Sequence, residues 1–176
     1  MKILGIIPAR YASTRFPGKP LTVINGKPMI QRVYEQSLKA ELLTDVVVAT
    51  DDQRIYDAVV AFGGKVMMTS TEHNSGTDRC CEVVGKIDGN YDAVVNIQGD
   101  EPFINPEQIN QIAELISSEE SQIASLCKPI KDADELFDNN VVKVVFDTRG
   151  KALYFSRQTI MDITAIWFSM AFITVR

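Results

Sequence analysis

A short β-branched run, then a turn, then a stretch of helical periodicity recurs several times along this chain, and that alternation is the signature of a parallel sheet covered by helices. The fold class is therefore α/β. Strands are expected at Lys2 to Pro8, Asp45 to Thr50, Lys65 to Thr69 and Tyr91 to Gln98, and the run Val46-Val47-Val48 suits a strand buried on both faces. Later strands are expected at Ile123 to Cys127, Val141 to Asp147 and Ala152 to Phe155. The short, turn-rich link Asp147 to Lys151 makes the last two an antiparallel hairpin. Apolar stripes mark three helices: Ile30, Val33, Tyr34 and Leu38; Ile55, Ala58, Val59 and Phe62; and Ile109, Ile112, Ala113 and Ile116. The third opens on Asn105-Pro106-Glu107, an N-cap, a proline at the first helical position and an acid in the first turn.

With 176 residues and 45% hydrophobic content, the chain can bury one core without disulfides or metals. Lys+Arg 18 against Asp+Glu 23 gives a net charge of -5, which argues against a general grip on nucleic acid or on a membrane surface. Any phosphate binding must be local. Cys80, Cys81 and Cys127 are odd in number and lack metal-ligand spacing, so they suggest neither a disulfide framework nor a zinc site, and they suit a reducing, cytoplasmic setting. The apolar N-terminal stretch is too short for the core of a signal peptide and is read as the first strand.

The stretch after that strand, Pro8-Ala9-Arg10-Tyr11-Ala12-Ser13-Thr14-Arg15-Phe16-Pro17-Gly18-Lys19-Pro20, carries three cations and two hydroxyls at the carboxyl end of a strand. Open α/β sheets bind ligands there. Arg10 and Arg15 can fork onto phosphate oxygens and Lys19 can supply a point charge, so the loop reads as a triphosphate cradle; the plainer alternative is a surface loop with solvated cations. GxxxxGK[ST] and GxGxxG are both absent, which removes the main support for ATPase and dehydrogenase readings. Asp100, at the end of the strand Tyr91 to Gln98, can hold magnesium against a triphosphate, or can be only an exposed strand-end acid or a helix cap. Ser75, Gly76 and Thr77 can cap the helix that carries Cys80 and Val84, and the sole histidine, His73, sits in a loop where polar surface is a commoner role than catalysis. One of the Cys80-Cys81 pair should face the core.

The first loop resembles the signature of the 3-deoxy-manno-octulosonate (Kdo) cytidylyltransferases. So do Gly26-Lys27-Pro28-Met29-Ile30, Val48-Ala49-Thr50-Asp51, His73-Asn74-Ser75-Gly76-Thr77-Asp78-Arg79 and Asn96-Ile97-Gln98-Gly99-Asp100-Glu101-Pro102, in that family's order. Sialic acid cytidylyltransferases fit less well, favouring glycine and lysine where this chain has Ala12 and Thr14. The resemblance implies a Rossmann-like nucleotidyltransferase fold with a mostly parallel sheet. It further implies transfer of CMP from CTP to Kdo for lipopolysaccharide synthesis, with pyrophosphate released, Mg2+ as cofactor and a homodimeric assembly.

By the same resemblance Arg10, Lys19 and Asp100 are catalytic, with Asp100 the magnesium ligand. Pro8, Ala9, Arg10, Ser13, Arg15, Lys19, His73, Ser75, Gly76, Thr77, Arg79 and Gln98 are implied to hold the nucleotide and sugar acid, backbone groups of Ala9 and Arg10 reading cytosine and Gln98 touching the sugar. The quoted blocks span residues 1–157, a nucleotide-binding core. Residues 158–176 read as a divergent apolar tail in place of the family's C-terminal part, which completes the sugar site and adds a second magnesium carboxylate; a frameshift or early stop is the expected origin. Ile163 to Val175 is apolar but shorter than the ~20 residues of a membrane-spanning helix. The alternatives carried forward are a CTP-binding remnant with little or no activity and a cytidylyltransferase for a related sugar acid.

Overall fold

The structure is a computed structural model that describes residues 1–12, 16–118, 121–160, 167–170 and 174–175, the last two segments by their backbone pairing alone. The chain divides into two compact units, residues 1–124 with 172–176, and residues 125–171.

In the larger unit the order is β1 (Ile3–Ala9), a 3-10 turn at Lys19–Leu21, β2 (Val23–Ile24), β3 (Lys27–Pro28), α1 (Met29–Ser37), β4 (Asp45–Thr50), α2 (Gln53–Ala61), β5 (Val66–Met68), α3 (Gly76–Lys86), β6 (Ala93–Asn96) and α4 (Pro106–Ser117). In the smaller unit follow β7 (Leu126–Pro129), α5 (Ala133–Phe137), β8 (Lys143–Phe146), β9 (Ala152–Ser156) and β10 (Trp167–Met170); β11 (Thr174–Val175) returns to the larger unit.

The main sheet runs β11-β6-β1-β4-β5, with β1 parallel to both β4 and β6, β4 parallel to β5, and β11 antiparallel on β6. From β1 the chain winds outward through β4 and β5 and then crosses back to β6 on the other side. Strand order therefore reverses at β1, and the carboxyl ends of β1 and β6 flank the crevice where such sheets bind ligands. Alternation along the strands sends Leu4, Ile6, Val47 and Ala49 into one buried cluster with Cys80 and Val83 of α3. Helices α1 and α4 pack on β1, β4 and β6 and against each other, burying Ile30, Val33, Ile109, Ile112, Ala113 and Ile116.

Helix starts follow the capping residues. Asn105 Oδ1 accepts from Glu107 N at 3.1 Å ahead of Pro106, Asp52 Oδ1 accepts from Arg54 N at 3.0 Å, and Ser75 with Asp78 forms a reciprocal capping box at α3. Gly76 and Thr77 are the first residues of that helix. Leu38 departs from the expected stripe: α1 ends at Ser37, so Leu38 lies beyond the last turn and is 56% exposed. The residue that shares the core with Cys80 is Val83, whereas Val84 is turned outward; Cys81 is exposed.

The smaller unit is a four-stranded antiparallel sheet in the order β7-β10-β8-β9. The β8–β9 hairpin is present as expected. Its turn closes through Asp147 Oδ1, which accepts from Arg149 N at 2.8 Å and Lys151 N at 2.9 Å, with Gly150 at φ 82. The strand expected at Ile123 to Cys127 instead begins at Leu126: Ile123 is 67% exposed, and the ladder with β10 selects Leu126–Pro129. Lys143 is fully buried, its Nζ donating to Asp138 O at 2.5 Å and Arg157 O at 3.0 Å. Among the described residues no helix is long and apolar enough to cross a membrane. The apolar stretch Ile163 to Val175 lies partly outside the described residues.

Candidate functional site

A cavity of about 590 Å³ opens at the carboxyl ends of β1 and β6, lined by Pro8, Ala9 and Arg10, by Phe16, Lys19 and Pro20, by His73, Ser75, Gly76 and Arg79, and by Gln98, Gly99 and Asp100. Three stretches far apart in sequence therefore share one pocket. Parallel pairing of β1 with β6 brings the first and last together, and Gly99 sets how closely. A Cβ there would stand 2.8 Å from the Pro8 carbonyl oxygen, so a side chain at position 99 would force the two strand ends apart.

At the mouth, Lys19 Nζ meets Asp100 Oδ2 at 2.6 Å, with side chains 36% and 52% exposed. A pair this wet adds little to stability, so both groups stay available to a ligand. Arg10 is exposed on the same rim. Beside Asp100, the half-buried Glu101 carboxyl is held above its ordinary value, first by burial and then by the charge of Asp100.

The opposite wall is braced from behind. Arg79 is buried, with its Nη2 donating to Asp51 Oδ2 at 2.7 Å and its Nη1 to Thr69 Oγ1, so its guanidinium is committed to the scaffold even as the residue lines the cavity. Glu82 Oε2 meets His73 Nε2 and accepts from Ser70 N at 2.8 Å, while its other oxygen pairs with Lys86. Lys86 first, then the Ser70 amide and His73, pull the Glu82 carboxyl from the ordinary 4.5 to about 2.

A depressed carboxylate stabilises the fold above its ordinary value and loses that contribution as pH falls toward the folded value. Thermal melts between about pH 5 and pH 2 should therefore show a shallower acid-side loss in Glu82→Gln than in the parent. Identical acid limbs would contradict the network.

Of the residues singled out in the sequence, the structure brings Pro8, Ala9, Arg10, Lys19, His73, Ser75, Gly76, Arg79, Gln98 and Asp100 to one cavity. Thr77 is half-buried in the first turn of α3 and does not line it. Ser13 and Arg15 lie outside the described residues. Sequence reasoning missed Phe16, Pro20 and Gly99 as lining residues, and missed Asp51, Thr69 and Glu82 as supports. Gly99 carried a signal, a glycine between two polar candidates, and Asp51 closes one of the quoted blocks; Thr69 and Glu82 carried none, because their partners are defined only by the fold.

Among the described residues no group of three or more His, Cys, Asp or Glu could hold a metal ion by itself. The donor set fits magnesium in another way: one exposed hard carboxylate, Asp100, faces a cavity rimmed by cations suited to phosphate, and magnesium takes one or two carboxylates with substrate phosphates completing its shell.

A family model described as Cytidylyltransferase matches residues 4–169. The 3-deoxy-manno-octulosonate cytidylyltransferase of Parabacteroides distasonis is 58% identical over 164 residues, covering 91% of this chain and 64% of that protein. Its counterpart in Geobacter metallireducens is 51% identical over 180 residues, covering 100% of this chain and 70% of that protein. The solved structure of a CMP:2-keto-3-deoxy-manno-octonic acid synthetase complexed with CTP superposes over 100% of this chain and 74% of its own, at 42% identity and a TM-score of 0.93. The chain thus spans about two thirds of the length of the relatives it matches, 64% for the first of them.

Proposed function

Because the chain belongs to the cytidylyltransferases, and among them to the 3-deoxy-manno-octulosonate (Kdo) cytidylyltransferases, we propose that it transfers CMP from CTP to Kdo, giving CMP-Kdo and pyrophosphate. The observation that carries this reading is the convergence of Arg10, Lys19 and Asp100 on one cavity at the point where strand order reverses.

In this reading the anomeric hydroxyl of Kdo attacks the α-phosphate of CTP, its oxygen bonding to phosphorus as the bond to pyrophosphate breaks. Charge grows on the non-bridging and leaving oxygens, and fixed cations answer it. Arg10 can fork onto two phosphate oxygens, and Lys19 can leave Asp100 for the departing pyrophosphate. Ser13 and Arg15, from the same loop, are proposed to add phosphate contacts. Backbone groups of Ala9, the last residue of β1, and of Arg10 directly after it would read the cytosine edge, with Pro8 beside them. Gln98, His73, Ser75, Gly76 and Arg79 are assigned to the nucleotide and the sugar acid, with Thr77 supporting them from the first turn of α3 and Arg79 acting as a wall whose charge is already paired. Asp100 would hold magnesium, which when bound supplies Lewis-acid neutralisation of phosphate oxygens. The cytoplasm, where cysteines stay reduced, is the proposed setting, and a homodimer the proposed assembly.

Calorimetric titration with CTP, UTP and ATP tests the nucleotide half of the proposal. CTP should bind at least about tenfold tighter than UTP, the scale of one buried hydrogen bond made or missed. Equal affinity for all three would overturn it. A second reading, open from the sequence, is binding of CTP without transfer. Parallel turnover assays separate the two, and substitution of a related sugar acid for Kdo tests the acceptor.

A further inference from the structure

The cations Arg10 and Lys19 stand nine positions apart in sequence, and what brings both to the cavity lies outside it. Tyr11 O accepts from Gly18 N at 2.9 Å, joining the residue after Arg10 to the residue before Lys19. The Tyr11 ring lies over Gly18: a Cβ at position 18 would be 2.9 Å from Tyr11 Cε2, and Gly18 has φ 70, so glycine is required twice over. The Arg54 guanidinium stacks on the Tyr11 ring, with Cζ 3.3 Å from its centroid. Asp52 holds that guanidinium through Nε at 2.9 Å and Nη2 at 2.6 Å while also capping α2. Helix α2 is itself anchored by the fully buried Ile55 and Val59 and touches the 3-10 turn at Lys19–Leu21.

We propose that Arg54 is a positioning residue for nucleotide binding: braced by Asp52 and stacked on Tyr11, it fixes the base of the loop so that Arg10 and Lys19 face the same triphosphate. Arg54 does not line the cavity, and its charge is matched by Asp52, so it acts through Tyr11 and not by touching phosphate. A forked guanidinium serves here better than an ammonium, because it engages a carboxylate edge-on while presenting its flat face to the ring.

This inference rests on the proposed binding of CTP, and its test keeps the two apart. CTP affinity is measured by calorimetry on the whole chain for the parent, Arg54→Met, Arg54→Lys, Tyr11→Phe, Tyr11→Leu and the double variant Arg54→Met/Tyr11→Leu. Arg54→Met is expected to bind CTP about three- to tenfold more weakly, the range of an exposed to partly desolvated cation–π contact. Tyr11→Phe should bind as the parent does and Arg54→Lys should recover part of the loss, a graded rescue that a merely structural role would not give. The double variant should be no weaker than the weaker single, since both substitutions break one contact. Should Arg54→Met fail to fold, Tyr11→Leu, at a half-buried position outside the core, carries the same expectation. Parent-like affinity in Arg54→Met or Tyr11→Leu, or full additivity in the double variant, overturns the positioning role alone. A parent that binds no CTP overturns the nucleotide reading on which it rests.

Discussion

Alanine in place of Asp100 is expected to slow magnesium-dependent CMP transfer by at least about 100-fold, because neutralising phosphate oxygens is worth several kcal/mol in the transition state. Folding should be spared. Asp100 is half-exposed at the cavity mouth, and its pair with Lys19, at 2.6 Å, sits in water, where such pairs contribute ~0–1 kcal/mol. Affinity for CTP alone should not fall, since removing the carboxylate frees Lys19 for phosphate. Single-turnover assays beside a CTP titration check the split: transfer lost with binding retained fits the account, and undiminished transfer contradicts it.

The second large effect concerns stability. Arg79→Met should lower the unfolding free energy by about 3 kcal/mol, the cost of leaving a buried charge without its partner, and drop the melting temperature by roughly 6–12 °C in a chain of this size. The Arg79 side chain is 3% exposed and Asp51 18% exposed, so the stranded carboxylate cannot simply rehydrate, and Thr69 Oγ1 loses its donor. Adding Asp51→Leu should return part of the loss by removing the orphaned charge. A melting temperature unchanged by Arg79→Met would mean that the pair does not bear on the fold.

Much of this architecture was legible in the sequence because its signals are local. The β-branched runs at Ile3, Val46 and Ala93, the cap and proline at Asn105-Pro106, and the turn chemistry of Asp147 and Gly150 each specify their element within a few residues. The cavity was half legible. Arg10, Lys19 and Asp100 belong to conspicuous polar stretches at strand ends, but the 81 positions between Lys19 and Asp100 are bridged only by the β1–β6 pairing. The commitment of Arg79 to Asp51, across 28 positions, left no trace in residue types. Leu38 misled because a helical stripe continues in sequence after the helix has ended. The register of β7 could not be read from Ile123 to Pro129, since the ladder with β10 that selects it comes from a strand about forty positions later.

The central claim is transfer of CMP to Kdo, and phosphorus NMR of this chain mixed with CTP, magnesium and Kdo tests it most directly. The account predicts CMP-Kdo and pyrophosphate appearing in equal amounts, only when Kdo is present. CTP that stays intact in all mixtures, or that is hydrolysed at the same rate without the sugar, would contradict it.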